Sequence, residues 1–406
     1  MDNAQISADV IRDRLGTAAF AFRGYNNTNL GRSAELLNHP VYGSLVERFL
    51  REASEVCSEA ASRHFDLVGR VRRHQESTLE TFAEDIPLIV AMEQAHIQIL
   101  REFYGIEYSQ ARLALGYSIG EITALVCGGV YEMHDLLRPL LCLADESAEL
   151  ARDVVMGVVF SRGPALDFDA VQRLCLEITT EGLGTIGISA FLAPNTVLVL
   201  GQGSTIETFK DRMAAALGEG VHLRKNHSLW PPLHTQHLWR HNIPNRAAYL
   251  MQTIPGGFRA PIPPVLSLVT GKVSYNDYNS RELMNRWVDH PQRLWDAINE
   301  LLALGVDLII HVGPEPNLIP ATFKRLSDNV NIQLNRWSFN NSLGRRAMSG
   351  LVSRPWLAKV ISSRTAVLRA PFVAHVILED WLLAHDPNEK PEPKKTTKKV
   401  EKKVAR

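Results

Sequence analysis

A serine between two glycines constrains this chain more than any other feature. In the stretch LALGYSIGEITALVCGGV (residues 113–130), an apolar run ends at Gly116, and Ser118 precedes a helix-forming run. The pattern predicts a strand, a sharp turn and then a helix over 119–127. In that setting, Gly-x-Ser-x-Gly is typical of a nucleophile elbow, in which a strained turn exposes the serine hydroxyl.

A second interpretation of Ser118 stays open. Together with Glu121 it matches a Ser-x-x-Glu capping box, in which the hydroxyl only binds a backbone N–H at the start of the helix. A nucleophilic serine also needs a base, because its own hydroxyl reacts poorly at neutral pH. Of the 14 histidines, the best candidates are His234 and His237, which lie in the proline-stiffened loop WPPLHTQHL.

The order of the predicted elements indicates an α/β fold with two separate sheets. Buried strands of the main sheet are predicted in TAAFAF, ARLALG and DLIIHV. Between 156 and 224, the strands in GVVFSRG and ISAFLAPNTVLVLGQ alternate with two helices, which predicts a small α+β insert. Further helices are predicted near 242–252 and 280–304.

This reading divides the chain into four parts. We expect a discontinuous large domain over 1–155 and 225–330, with a small subdomain inserted over 156–224. A C-terminal extension without an assigned role follows over 331–388, and a disordered lysine-rich tail covers 389–406. The tail, EKPEPKKTTKKVEKKVAR, has no apolar stripe that could hold it against a core.

Bulk composition excludes several classes of protein. The 44 basic and 44 acidic side chains cancel, which argues against nucleic acid as a partner. The four cysteines lack the spacing of a zinc site or a disulfide framework, so no metal is expected and a reducing cytoplasm fits. No signal peptide is recognised, and no apolar run reaches the roughly 18 residues of a membrane span.

Five stretches carry a resemblance. In chain order they are FAFRGYNNTNLGRSAELLNHP, GYSIGEITALVCGGVYEMHDLLR, ISAFLAPNTVLVLGQGSTIETF, PPLHTQHL and LGVDLIIHVGPEPNLI. Together they resemble the malonyl-CoA:acyl-carrier-protein transacylases and the acyltransferase domains of polyketide synthases, over residues 18–326. The resemblance implies an α/β-hydrolase-like large domain with a parallel sheet and an inserted ferredoxin-like subdomain.

The resemblance also implies a mechanism for fatty-acid or polyketide-type synthesis. Ser118 would attack the thioester of an acyl-CoA while His234 takes its proton, and backbone N–H groups of Ile119 and Tyr25 would hold the oxyanion. The phosphopantetheine thiol of an acyl carrier protein would then accept the acyl group. The acyl-CoA and the carrier protein are thus the expected partners, and no bound cofactor is implied.

Other positions follow from the same resemblance. The substrate pocket would be lined by Tyr117, Leu143, Ile86, Leu192 and His237. A backbone carbonyl near the VGPEPN loop would orient the catalytic histidine, at the positions Gly313, Pro314 and Asn317. No catalytic aspartate would then be needed.

The chain departs from the family at four of these positions. Tyr117 replaces a histidine, while Tyr25 and Ile86 replace glutamines. Leu143 falls where the family has the arginine that binds the carboxylate of malonyl groups. Leucine cannot bind a carboxylate, which favours an acyl group without one unless Arg23 or Arg138 reaches the pocket.

Two other functions stay open. A serine hydrolase or thioesterase of the α/β-hydrolase type would require a buried carboxylate partner such as Asp145 or Asp169. A weak or inactive scaffold that binds a carrier protein would explain the four departures. In either transfer or scaffolding, the basic C-terminal region could steer an acidic carrier protein; its prominent residues are Arg345, Arg346, Arg354, Trp356, Arg364 and Arg369.

Overall fold

The computed structural model describes residues 6–162, 164–226, 228–340, 365–385 and 387. Its main sheet has six strands in the order β10-β9-β1-β2-β7-β8, and all neighbours are parallel except β7 and β8. These strands are β1 (Ala18–Phe22), β2 (Leu113–Gly116), β7 (Val265–Ser267), β8 (Lys272–Val273), β9 (Leu308–Val312) and β10 (Ala374–Ile377). The predicted α/β class with a parallel sheet is confirmed.

Parallel register brings three loops to one edge of this sheet. Phe22 of β1 pairs with Gly116 of β2 on one side and with Val312 of β9 on the other. All three strands are buried along their whole length, because helices cover both faces of a parallel sheet and favour unbroken apolar runs. The segments that follow these strands, which include Arg23 and Ser118, therefore lie side by side.

The second sheet is antiparallel and has the order β4-β5-β3-β6. Its strands are β3 (Val154–Ser161), β4 (Ile186–Ala193), β5 (Thr196–Gln202) and β6 (Val221–Asn226). Two helices, Phe168–Thr180 and Thr205–Leu217, pack against it around a separate apolar cluster. This β-α-β-β-α-β arrangement is the predicted ferredoxin-like insert. The exact domain boundaries stay a prediction.

Helices cover both faces of the main sheet. In chain order, the remaining described α-helices are Ala8–Asp13, Ser33–Leu37, Gly43–Ala61, Leu67–Arg72, Phe82–Tyr104, Ile119–Cys127, Met133–Leu150, Ile243–Thr253, Ser280–Asp289, Leu294–Ala303, Leu318–Asn340 and Leu378–Ala384. Their buried faces form one large apolar cluster on one side of the sheet and a smaller one on the other.

Two features differ from the sequence prediction. The helix predicted over 280–304 is two helices, Ser280–Asp289 and Leu294–Ala303, because Pro291 disfavours a helical backbone at His290. The C-terminal extension, for which no role was predicted, adds β10 to the main sheet beside β9. The lysine-rich tail lies outside the described residues.

A search of the described helices finds none that is both long and apolar enough to span a membrane.

Candidate active site

Ser118 occupies a strained turn between β2 and the helix Ile119–Cys127. Its φ of 53° and ψ of −118° are unusual for a residue with a side chain. The flanking glycines are required by space, since a Cβ on Gly116 would overlap the backbone of Gly120, and one on Gly120 would overlap the carbonyl oxygens of Phe22 and Arg23. The predicted strand, sharp turn and helix are confirmed.

The capping-box interpretation does not hold in this geometry. Ser118 makes no side-chain hydrogen bond to the start of the helix. The Glu121 carboxylate instead accepts hydrogen bonds from the Leu268 N–H (3.0 Å) and the Tyr275 hydroxyl (2.7 Å). Burial raises the pKa of Glu121 to about 7. The hydroxyl of Ser118 is therefore free of a structural role in the helix.

His234 is the partner of that hydroxyl. Its Nε2 lies 2.8 Å from Ser118 Oγ, and its Nδ1 lies 2.7 Å from the backbone carbonyl oxygen of Trp287. A carbonyl only accepts hydrogen bonds, so Nδ1 carries the proton and donates it. Nε2 then has a free lone pair that faces the serine O–H. This tautomer is the one a general base needs.

Trp287 and Gln292 hold both members of this pair. The indole N–H of Trp287 donates to the Ser118 carbonyl oxygen (3.1 Å), and its ring packs edge-on against His234. The Gln292 side-chain oxygen accepts the Ser118 N–H (3.1 Å). Its amide nitrogen lies 3.2 Å from His234 Nδ1, but both groups are donors in this tautomer, so Gln292 holds the serine and the Trp287 carbonyl holds the histidine. Sequence reasoning identified neither residue. Both serve through contacts that have no local sequence pattern.

Burial controls the protonation of His234. Desolvation lowers its pKa to about 4, although the Trp287 carbonyl and the charge of Asp289 act in the opposite direction. The imidazole is therefore neutral at pH 7 and can accept a proton.

Two backbone N–H groups lie beside the nucleophile. Ile119 is the first residue of its helix, and helix N-termini leave such N–H groups unpaired and partly positive. Tyr25 follows Gly24, whose backbone approaches the elbow so closely that an added Cβ would lie 2.6 Å from the Tyr117 carbonyl oxygen. The N–H groups of Ile119 and Tyr25 donate no backbone hydrogen bond within the part of the chain that the structure describes.

Ser118 and His234 open into a cavity of about 770 Å³. Residues of the small antiparallel sheet line one wall, and the start of the helix Leu318–Asn340 lines another. Tyr25 lines this cavity together with Tyr117 and Leu192, two of the positions predicted for the substrate pocket. Three exposed arginines also line it: Arg162, Arg224 and Arg325.

A second, apolar cavity of about 50 Å³ lies behind Phe82 and Leu233, which line both cavities. Leu143 and Ile86 line this smaller cavity, and so does Ile119. None of the arginines that the structure describes lines it. Leu143, predicted to replace a carboxylate-binding arginine, is therefore surrounded mainly by apolar side chains.

The two arginines considered as substitutes do not reach this cavity. Arg23 is fully buried, and its guanidinium binds protein oxygens such as those of Gly24 and Pro314. Arg138 is exposed and forms a salt bridge with Glu59 (2.9 Å).

Two predictions about the site are corrected, one for His237 and one for the loop that orients His234. His237 lines neither cavity; its ring nitrogens lie 2.9 Å from the Thr235 hydroxyl and from the Thr185 carbonyl oxygen, so it ties its loop to the small sheet. The carbonyl that orients His234 belongs to Trp287 and not to the 313–317 loop, which was predicted at Gly313, Pro314 and Asn317. That loop follows β9, accepts a hydrogen bond from Arg23 at Pro314 and contributes Pro316 to the lining of the larger cavity.

The carboxylates proposed for a hydrolase triad lie elsewhere. Asp145 is exposed and forms a salt bridge with Arg63, and Asp169 is exposed on the small subdomain. No carboxylate oxygen hydrogen-bonds His234 in the described parts of the chain. The same described residues contain no cluster of acidic, His and Cys side chains that could hold a metal.

The predicted basic docking region falls mostly outside the described residues. Arg345, Arg346, Arg354, Trp356 and Arg364 lie outside the described residues. Arg369 is described, and its guanidinium donates to the carbonyl oxygens of Leu302 (2.7 Å) and Gly305 (3.0 Å). It therefore anchors the C-terminal segment to the main domain.

This fold and the Ser118–His234 pair resemble those of acyltransferases. No protein-family model matches the chain. It is 24% identical over 324 residues to the malonyl CoA-acyl carrier protein transacylase of Bacillus subtilis, which covers 78% of this chain and 73% of the relative. It is 26% identical over 313 residues to the phenolphthiocerol synthesis polyketide synthase type I Pks15/1 of Mycobacterium marinum, covering 75% of this chain but only 13% of that much longer protein.

Solved structures share the fold. FabD from Acinetobacter baumannii has a TM-score of 0.61 at 17% identity, covering 88% of this chain and 99% of FabD. A malonyl-transacylase in complex with its type II polyketide synthase acyl-carrier protein has a TM-score of 0.58 at 22% identity, covering 75% and 91%. The resemblance to malonyl-CoA:acyl-carrier-protein transacylases and polyketide synthase acyltransferases is confirmed.

Proposed function

We propose that this protein transfers an acyl group from coenzyme A to the phosphopantetheine thiol of an acyl carrier protein, in fatty-acid or polyketide-type synthesis. The observation that carries the proposal is the 2.8 Å contact between Ser118 Oγ and His234 Nε2 at a strained glycine-flanked turn. Strain of this kind is costly and is found mainly where function requires it.

In the first half-reaction, Ser118 Oγ attacks the thioester carbonyl carbon while His234 Nε2 takes the hydroxyl proton. The carbonyl becomes an oxyanion, for which Ile119 and Tyr25 supply backbone N–H donors. The carbon–sulfur bond then breaks, and the protonated imidazole returns its proton to the departing CoA sulfur. An acyl ester on Ser118 is left.

The second half-reaction repeats these steps with a new nucleophile. The phosphopantetheine thiol loses its proton to His234 and attacks the acyl ester, which restores Ser118 and leaves the acyl group on the carrier protein. The neutral imidazole that burial favours supports both steps, because a base must be unprotonated when the nucleophile attacks.

The acyl group, we infer, lacks a free carboxylate. The apolar cavity behind Phe82 and Leu233 holds Leu143 where a malonyl-specific site would need a cation. A carboxylate there would lose its water without gaining a partner, at a cost of several kcal/mol. An acetyl group matches this lining in polarity and in size, whereas a longer unsubstituted acyl chain matches its polarity but would require the cavity of about 50 Å³ to widen.

Charge at the larger cavity suits the rest of the donor. Arg162, Arg224 and Arg325 are exposed along its wall. Guanidinium groups pair well with phosphate, which both CoA and the carrier protein's prosthetic arm carry.

The test is to incubate the protein with equal amounts of acetyl-, malonyl- and long-chain acyl-CoA and a phosphopantetheine-loaded carrier protein, then to measure intact masses. We expect the enzyme and the carrier each to gain the mass of one acyl group, and unsubstituted acyl groups to be transferred in larger amounts than malonyl. Ser118→Ala should abolish both, and Ser204→Ala, at an exposed position, should behave as the parent protein.

Each contrary result points to another function. Release of free acid without any gain of carrier mass would make the protein a hydrolase or thioesterase. A folded protein that gains no mass from any donor, and whose Ser118 resists an acylating probe, would be a scaffold.

A further inference from the structure

Arg23 has a role that the transfer mechanism above does not use. It directly follows β1, its side chain is fully buried, and it was considered as a ligand for the carboxylate of an acyl group. The structure does not place it for that task, because it lines neither cavity and four of its five N–H donors are paired within the protein. Its guanidinium donates four hydrogen bonds, all to protein oxygens: Gly24 O (2.9 Å), Pro314 O (2.7 Å), Asn29 Oδ1 (2.8 Å) and Thr28 O (3.2 Å).

All four acceptors lie in two loops beside the nucleophile elbow. Three of them belong to the loop 24–29 that carries Tyr25, and the fourth belongs to the loop after β9. A buried guanidinium is costly unless its donors are paired, so this arrangement fixes the loop in one conformation. Burial lowers the pKa of Arg23, while the charge of Glu93 and other carboxylates opposes that change.

The contact with Gly24 bears directly on the nucleophile. The Gly24 carbonyl and the Tyr25 N–H belong to the same trans peptide group, which is planar, so the two bonds point in opposite directions. Fixing the carbonyl oxygen on Arg23 Nε therefore fixes the direction of the Tyr25 N–H. A hydrogen bond to that oxygen also polarises the peptide and strengthens its N–H as a donor.

We propose that Arg23 is a positioning residue of the oxyanion hole, which holds the Gly24–Tyr25 peptide so that its N–H faces the acyl group on Ser118. This inference rests on the proposed acyl transfer for its chemical meaning. Its geometric content, that Arg23 fixes the loop, stands independently of that reaction.

The surroundings of Arg23 support this role. Glu93 Oε1 accepts the Arg23 backbone N–H (2.8 Å), so main chain and side chain are both held. Gly313 packs on Arg23 so tightly that a Cβ there would lie 2.6 Å from Arg23 Cγ. Glu379, from the C-terminal helix, accepts the backbone N–H groups of Glu315 (2.7 Å) and Arg32 (3.0 Å) and so holds the loops on either side.

The experiment compares Arg23→Lys and Arg23→Gln with the parent protein and with the surface control Arg138→Lys. Lysine keeps the charge but cannot reach Gly24 O and Pro314 O together; glutamine removes the charge and keeps a single amide donor. Amide hydrogen exchange of the peptides that cover 22–32 and 113–127 is measured first. Steady-state kinetics with the best acyl-CoA donor and a carrier protein follow.

We expect exchange of 22–32 to rise at least about tenfold in both Arg23 variants, with little change over 113–127. The kcat should fall by about 10–100-fold while the KM for the donor stays within about threefold, because the lost contact acts on the transition state. Thermal melting identifies a variant that has lost its fold, in which case the other variant decides.

Two results would overturn the inference: unchanged exchange over 22–32 in a folded variant, or an unchanged kcat despite looser exchange. If the parent protein itself transfers no acyl group, the proposed function fails, and the exchange data alone still decide whether Arg23 fixes the loop.

Discussion

The two cavities on either side of Phe82 and Leu233 differ in size and in charge. The larger, about 770 Å³, contains Ser118 and His234 and is bordered by exposed arginines. The smaller, about 50 Å³, is lined almost wholly by apolar side chains. One cavity favours charged groups and the other penalises them. A donor with a phosphate-rich end and an apolar end would therefore bind in one orientation only, with its thioester near the shared wall.

The largest expected effect tests whether chemistry occurs where the larger cavity meets that wall. Replacing His234 by alanine removes the base, and the rate of acyl-enzyme formation should fall by about 10²–10⁴-fold. Rapid quench with mass detection of the Ser118 ester measures this rate. His64→Ala, at an exposed position, is the matched control. A loss of less than tenfold in His234→Ala would show that another group acts as the base.

The next effect tests the apolar character of the smaller cavity. Leu143→Arg places a guanidinium there, and the ratio of kcat/KM for malonyl-CoA to that for acetyl-CoA should rise by at least about tenfold. Competition between the two donors gives the ratio directly. Leu143→Met keeps the lining apolar and should leave it unchanged. Thermal melting accompanies the assay, since an unpaired buried arginine also destabilises the fold.

If the unaltered protein already prefers malonyl-CoA, the contrast between the cavities does not govern donor choice, and the charge that binds the carboxylate has to come from elsewhere.

A smaller effect tests the exposed arginines that border the larger cavity. Changing Arg162, Arg224 or Arg325 to glutamine should raise the KM for acyl-CoA by about 2–5-fold each, the size expected for an exposed ion pair. The effect should shrink as salt is added. An acyl N-acetylcysteamine thioester, which has no phosphate, should show no change in KM. Arg138→Gln is the control; an equal change with both donors would indicate a steric cause.

The smallest effect concerns the burial of His234 beside the larger cavity. Its pKa is lowered to about 4, so the neutral base persists above that pH and is lost as the pH falls through it. The acylation rate should therefore fall by less than about twofold between pH 7 and pH 5, whereas a histidine of ordinary pKa would lose about 25-fold. Rapid quench measures the rate, and near-UV circular dichroism confirms that the fold persists at pH 5.

The site could be predicted from sequence where close packing allows only one residue type. Gly116 and Gly120 are required by close backbone contacts, so the turn at Ser118 left a readable pattern. The alternating strands and helices of the small subdomain could also be predicted, because each of these elements has a clear hydrophobic periodicity.

The rest of the site could not be predicted, because it depends on backbone carbonyl groups, which every residue has. The carbonyl that orients His234 belongs to Trp287, and any side chain could stand at that position. The prediction was based on the family resemblance and wrongly assigned this carbonyl to the 313–317 loop. Arg23 was singled out for its charge, yet its partners are backbone carbonyls distant in sequence, which no local pattern reveals. β10 was missed because a four-residue strand carries too little periodicity to recognise.

The strand β10 has a consequence for how short this protein can be made. It covers one side of β9, and the helix after it buries Trp381 completely. A chain cut at residue 330, the predicted end of the large domain, would leave β9 with a row of unsatisfied backbone groups. Such a row recruits strands from other molecules and leads to aggregation. Any truncated version that is meant to stay monomeric should therefore extend through residue 385.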